Sequence, residues 1–300
     1  MKKVLSLILC FAFIFCIFAG CSGNDEKEPE TTSEPVSLQF TTDESNSYLS
    51  PSSVRAYETL CDAVINGNSE ANFNTTLIND VNRLFYSDFP LSCLVSKMDL
   101  KSDNTGVSIV YKNNTDEHLS LVSEFSAKVN EILSECGFGK VNNNTLVLNL
   151  YSYITKNTEI NNQSNNTYDV IVNSTGYSSS FAGAFAYLLN QAGIKASVVK
   201  STNDDGIAFM AETDFKGMNY IFNPFFEAND NKGEALRYFA LDYAELAAAG
   251  YTDVRYRNDD SVVFDDGEND FARLRSSVSY TLDGNSLSVK TENGNFQIEL

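Results

Sequence analysis

The stretch YDVIVNSTGYSSSFAGAFAYLLNQAGIKASVVKS, residues 168–201, decides the fold. Within it Phe181, Phe185, Leu188, Leu189 and Ala192 recur at the spacing of one helix face, and Gly193 closes the pattern. Ser178, Ser179 and Ser180 stand where that helix begins, and their hydroxyls suit its free N–H groups. KASVVK (195–200) then reads as a short strand. GIAFMAETDFKGMNYIFNPFF (206–226) follows as a hairpin turning at Lys216-Gly217. Phe209, Ala211 and Thr213 alternate on one arm of it, and Met218, Tyr220 and Phe222 on the other. A helix followed by an antiparallel hairpin places the chain in the α+β class.

Upstream, the pattern is mostly helical. Ser50-Pro51 supplies a cap and a first-turn proline, Val54, Tyr57, Leu60, Cys61 and Val64 form a stripe, and Gly67 stops it. A second helix is expected over 74–86, with Leu77, Ile78, Val81, Leu84 and Phe85 inward. TGVSIVYKNN (105–114) alternates as a strand. Leu119, Val122, Phe125, Val129, Ile132, Leu133 and Cys136 mark a long helix, and Leu146, Leu150, Tyr153 and Ile154 mark the next. Downstream, LDYAELAAAG (241–250) is a short helix in which Asp242 and Glu245 have capping-box spacing. Residues 251–300 read as a β-meander, with VRYRNDDSVVF (254–264) as a hairpin and turns at Asp283-Gly284 and Asn293-Gly294.

The first residues have a different character. Lys2 and Lys3, an apolar run from Val4 to Phe18 and the small residues after it follow the order of an export signal. The run is short for a membrane span, which needs about 20 apolar residues. Phe18-Ala19-Gly20-Cys21 resembles the lipobox of bacterial lipoproteins, which implies a signal peptide over 1–20 and acylation of Cys21. Residues 21–47 are acidic, polar and poor in apolar surface, so a disordered spacer is expected there.

Composition excludes several chemistries. A net charge of −19 argues against nucleic acid and against an electrostatic grip on anionic lipid. Cys61, Cys93 and Cys136 remain after the signal, widely spaced and with no CxxC, so neither a disulfide network nor a zinc site is expected, and no metal or cofactor. These three cysteines read as packing residues. His118 is the single histidine, and its place near a helix start reads as a solvated surface position. Cys136 lies 18 residues further along that helix, roughly 27 Å away at 1.5 Å per residue, beyond hydrogen-bond reach.

The segment 168–201, the strand segment YIFNPFF and the later YFALDYAEL together resemble the bacterial transglutaminase-like domains, relatives of papain-type cysteine peptidases. The upstream pattern from YLSPSSVRAYETL onward also resembles exported members, so the resemblance covers residues 48–250. It implies a transglutaminase-like, papain-like core with N-terminal helices, and a catalytic cysteine, histidine and aspartate. Those three positions fall on Ser178, Ile207 and Asn223. A serine nucleophile needs a general base, and isoleucine supplies none; Lys200 is the nearest lysine in sequence. Asn223 before Pro224 reads as a turn residue.

The resulting expectation is a pseudoenzyme: an extracytoplasmic lipoprotein on the outer face of the cytoplasmic membrane, held by lipid on Cys21. Its role would be binding or scaffolding, with a cell-wall peptide, a glycan or an envelope protein as partner. A ligand groove would draw on Phe209, Tyr220, Phe225 and Phe226, most aromatic surface there being core. Two other readings stand beside it. One is an acyl-transfer or peptidase enzyme using Ser178; the other is a passive structural envelope lipoprotein.

Overall fold

The computed structural model describes residues 37–38, 49–203, 206–257, 260–262, 264 and 269–300. The export signal, Cys21 and the acidic spacer to residue 47 lie outside the described residues, apart from two of the spacer's positions. In chain order the elements are α1 (Pro51–Ile65), β1 (Glu70–Asn72), α2 (Ile78–Asp88), β2 (Val95–Leu100), β3 (Gly106–Tyr111), α3 (Thr115–Glu135) and α4 (Asn143–Asn157). Then come β4 (Glu159–Ile160), α5 (Thr167–Asn173), β5 (Thr175–Gly176), α6 (Ser178–Gln191), β6 (Ala196–Asn203), β7 (Gly206–Phe215) and β8 (Met218–Phe222). The chain continues through α7 (Pro224–Asn231), α8 (Tyr243–Ala248), β9 (Arg255–Tyr256), β10 (Ser277–Asp283), β11 (Ser286–Thr291) and β12 (Gly294–Glu299). Helices and antiparallel sheets are thus mixed in one chain, an α+β architecture.

Local signals account for most element ends. Ser50 caps α1, its hydroxyl accepting from Ser53 N–H at 3.0 Å with Pro51 in the first turn. Asn114 and Asn142 do the same for α3 and α4. Lys216 and Gly217, at φ 56° and 83°, give the hairpin between β7 and β8 the left-handed pair that a two-residue turn needs.

Helix α6 is the centre of the core. It is apolar nearly all round and buried along almost its whole length, as such a helix must be. The main sheet has the order β8-β7-β6-β9. One face packs on α6 through Ala196, Val198, Ala211, Phe215 and Phe222. The other carries Val199, Ala208, Met210 and Ile221 under Leu241, Leu246 and Tyr251. Strand alternation divides the two sets, one residue up and the next down.

The C-terminal part differs from the sequence reading. A meander was expected from 251, but the three-stranded sheet β10-β11-β12 begins at Ser277. The earlier piece folds back on itself, Val262 N–H to Val254 O at 3.1 Å, yet its strand β9 pairs with β6 of the main sheet. The meander joins the main core: Leu287 and Val289 are buried within it. Polar ties run to α4, Thr145 Oγ1 to Asn285 Oδ1 at 3.0 Å and Asn142 Nδ2 to Leu300 O at 3.1 Å.

Candidate functional site

The first turn of α6 is built by its serines, though not as simple caps. Ser180 Oγ reaches back to accept the Tyr177 N–H at 2.8 Å, which ties the turn before the helix. Ser178 behaves differently. Its buried Oγ accepts the Phe209 N–H of strand β7 at 3.1 Å. That amide is available because the β7–β8 pairing stops at Ala211 and Phe222, leaving the start of β7 without a β8 partner. Ser178 therefore fastens the helix end to the open strand, a tertiary bond rather than a cap.

The other two expected positions have different surroundings. Ile207 is 60 % exposed and sits beside Thr202 of β6. Asn223 is 1 % exposed and its Oδ1 accepts Phe226 N–H at 3.0 Å, which makes it the N-cap of α7 with Pro224 in the first turn. In register Asn223 falls one step past the Ala211–Phe222 pair, opposite Met210. Both Asn223 and Met210 line a cavity on the face away from α6. Ile207 and Phe209 share the parity of the α6-facing Ala211, the side on which Ser178 meets the Phe209 amide. Lys200 pairs with Phe209 in register and shares the parity of Ala196 and Val198 on the α6 face, so it lies near the Ser178 end.

The expected aromatic groove is divided in the same way. Tyr220 is buried on Phe271 at 5.5 Å, and Phe209 packs with the α6-side core. Phe225 sits against Tyr177 at 4.9 Å and Phe181 at 5.8 Å. Phe226, its neighbour in sequence, turns to Tyr238 at 5.5 Å on the other face. The four rings therefore do not line one groove.

The thiols and the histidine complete the inventory. Cys61 and Cys136 are buried and Cys93 is half-buried, all three free. Burial pushes the Cys93 and Cys136 thiols up to about 12, and raises Cys61 as well. A thiol nucleophile requires the opposite shift. His118 is fully buried, which corrects the surface position expected for it. Its ring packs 4.0 Å from Tyr111 and its Nε2 meets Val64 O at 2.6 Å, so it closes the end of α1. Helix α3 starts at Thr115, earlier than its apolar stripe suggests, and the first turn lies on α1. Among the described residues no cluster of three His, Cys, Asp or Glu side chains is arranged for a metal, and no helix is long and apolar enough to cross a membrane.

No family model and no curated protein matches this chain. Among solved structures, it is similar to a candidate cysteine protease from Cytophaga hutchinsonii at 20 % identity, over 34 % of this chain and 37 % of that one, with a TM-score of 0.29. It is also similar to a transglutaminase at 10 % identity, over 38 % of this chain and 34 % of that one, with a TM-score of 0.31. The chain thus spans about a third of the length of the structures it matches.

Proposed function

We propose that the chain is an exported, lipid-anchored binding protein on a transglutaminase-like framework whose catalytic groups are gone. The observation that carries this is the engagement of Ser178. At the helix end where a nucleophile would stand, a buried hydroxyl accepts a backbone amide at 3.1 Å, while the chain's one histidine is held in a separate cluster at Val64. A serine without a general base is a weak nucleophile near neutral pH. The raised thiols at Cys61, Cys93 and Cys136 favour the same reading. Attachment through Cys21 would hold the protein on the outer face of the cytoplasmic membrane, within reach of a cell-wall peptide, a glycan or an envelope protein.

The test has two arms. Purified chain is assayed for amide hydrolysis and for amine incorporation into glutamine peptides, beside Ser178→Ala. Equal, background rates are expected; turnover abolished by the substitution would overturn the non-catalytic reading. Metabolic labelling with a fatty acid, lost in Cys21→Ala, tests the anchor. One observation gives the serine-enzyme reading a definite form: Lys200 pairs with Phe209, the residue whose amide meets Ser178. Lys200→Ala therefore belongs in the turnover assay, since a Ser–Lys pair would lose its rate with either change.

A further inference from the structure

Across the sheet from Ser178 lies a cavity of about 580 Å3, the size of a small-molecule site. Met210, Phe226, Leu246 and Tyr251 give it apolar walls. Two polar groups in it are incompletely used. Asn223 is 1 % exposed, and its Oδ1 is taken by the Phe226 amide, but its Nδ2 has no hydrogen-bond partner among the described residues. Arg237 donates Nε–H to Ser277 O at 3.1 Å, and its two Nη nitrogens have neither a hydrogen bond nor an ion pair among the described residues.

The other charged groups of the cavity are accounted for. Glu245 is paired with Arg275 at 2.7 Å and also accepts Asn269 Nδ2 at 2.7 Å. Arg275 spends three more of its donors on the carbonyls of Arg237, Phe239 and Ala240. Asp230, at the exposed rim, accepts the Tyr238 hydroxyl and Asn229 Nδ2. The donors in this cavity without a partner among the described residues are therefore those of a guanidinium fork and of an amide. A guanidinium fork matches a carboxylate best, by two parallel charge-assisted bonds.

We propose that this cavity binds an organic carboxylate with an apolar or aromatic body. The carboxylate is received by Arg237 Nη and Asn223 Nδ2, and the body lies on Phe226, Tyr251 and Leu246. The shared chemistry covers a free small acid and the C-terminal residue of a peptide. It does not rest on the loss of catalysis at Ser178, because the cavity is on the opposite face of the sheet.

The chain has no tryptophan, so an indole ligand is the sole indole emitter in a binding assay. The probes are indole-3-butyrate, its methyl ester, and Ala-Ala-Trp with a free or an amidated C-terminus, titrated against the full chain by anisotropy. At least one acid is expected to saturate below about 1 mM, with its ester or amide weaker by about tenfold or more. Arg237→Gln should weaken the acid by a similar factor. Asn223→Asp keeps the α7 cap, since Asp caps as well as Asn, but exchanges the donor for an acceptor, and should also weaken it. Asp230→Asn should tighten it by removing a rim anion. Circular dichroism and Tm verify that each variant folds. Saturation by the indole acid alone points to a small acid as the source, and by the free peptide alone to a peptide end. The proposal is overturned if acid and ester bind alike, if Arg237→Gln binds as the parent does, or if neither acid saturates in that range. The ester and amide arms need no variant, so the test stands even if Arg237→Gln does not fold.

Discussion

Glu227 shows how one residue organises a segment. It is fully buried, and its carboxylate accepts Asn231 Nδ2 at 2.6 Å, Arg237 N–H at 2.9 Å, Tyr238 N–H at 2.7 Å and the Tyr151 hydroxyl at 3.0 Å. Burial raises its pKa in spite of these four bonds, each of which pulls the other way. A carboxyl raised in the fold is favoured protonated. Its contribution is therefore fully present below the unfolded value near 4.5, and is lost as pH rises through the folded value. Glu227→Gln cannot satisfy both backbone amides, because its own NH2 must face a donor, and should cost about 1–3 kcal/mol. The gap between parent and variant should narrow as pH rises above about 4.5. Urea titrations at a series of pH values would measure it, and a gap that widens over that range would contradict the assignment. None of this is visible in the sequence, where Glu227 is one acid among many. His118 makes the same point: the residue type and spacing place it on a helix, but only the contact with Val64 O shows that it faces inward.

At the scale of elements, local signals were legible and pairings across the chain were not. Ser50-Pro51 announces α1, and the Lys216-Gly217 turn announces the β7–β8 hairpin. Asn223-Pro224 reads as a turn, and the structure makes it a helix start: α7 begins there. That choice commits the Asn223 side-chain carbonyl oxygen to the Phe226 amide. The union of β9 with β6 joins residues 55 apart, Arg255 to Lys200, and no periodicity reports it. Close packing of α5 on α6 is another such fact. A Cβ on Gly183 would come within 2.5 Å of Thr167 Oγ1, with Arg257 Nη2 at 3.7 Å. Arg257 is itself held there by Asp88 at 3.1 Å. Alanine at a helix interior is worth about 1 kcal/mol over glycine, while overpacking costs about 1–3 kcal/mol. Gly183→Ala should therefore lower stability in the parent, and be neutral or stabilising when Thr167→Ala removes the obstructing hydroxyl. A double-mutant cycle by urea unfolding reads that coupling directly; additive effects would show that the two helices are not in the contact described.

For the whole molecule, the question is whether the C-terminal meander is an appendage or part of one folding unit. Its sequence, strands around Asp-Gly and Asn-Gly turns, is that of a self-contained sheet, and an exposed three-stranded sheet has little core of its own. The packing argues for integration. Leu287, Val289, Phe271 and Leu274 are buried in the cluster that also holds α6. Ser277, fully buried at the start of β10, accepts Leu236 N–H at 2.9 Å through its hydroxyl and Arg237 Nε–H at 3.1 Å through its carbonyl. Ser152 Oγ meets the Tyr280 hydroxyl at 2.5 Å, and Lys156 lies 4.5 Å over the Tyr280 ring. Removing the Leu287 side chain should then cost about 2–5 kcal/mol. For a unit of this size that corresponds to a fall in Tm of about 5–15 °C. If the meander is integral, calorimetry of Leu287→Ala will show one transition displaced as a whole, with near-UV and far-UV signals moving together. If the meander were an appendage, the same substitution would leave the main transition where it was and melt a small early one. The segment that bears Arg237 is fastened to β10 through Ser277, so an integral meander also ties carboxylate binding to its docking. Leu287→Ala should weaken the indole-acid probe as the temperature nears the lowered Tm, and not before.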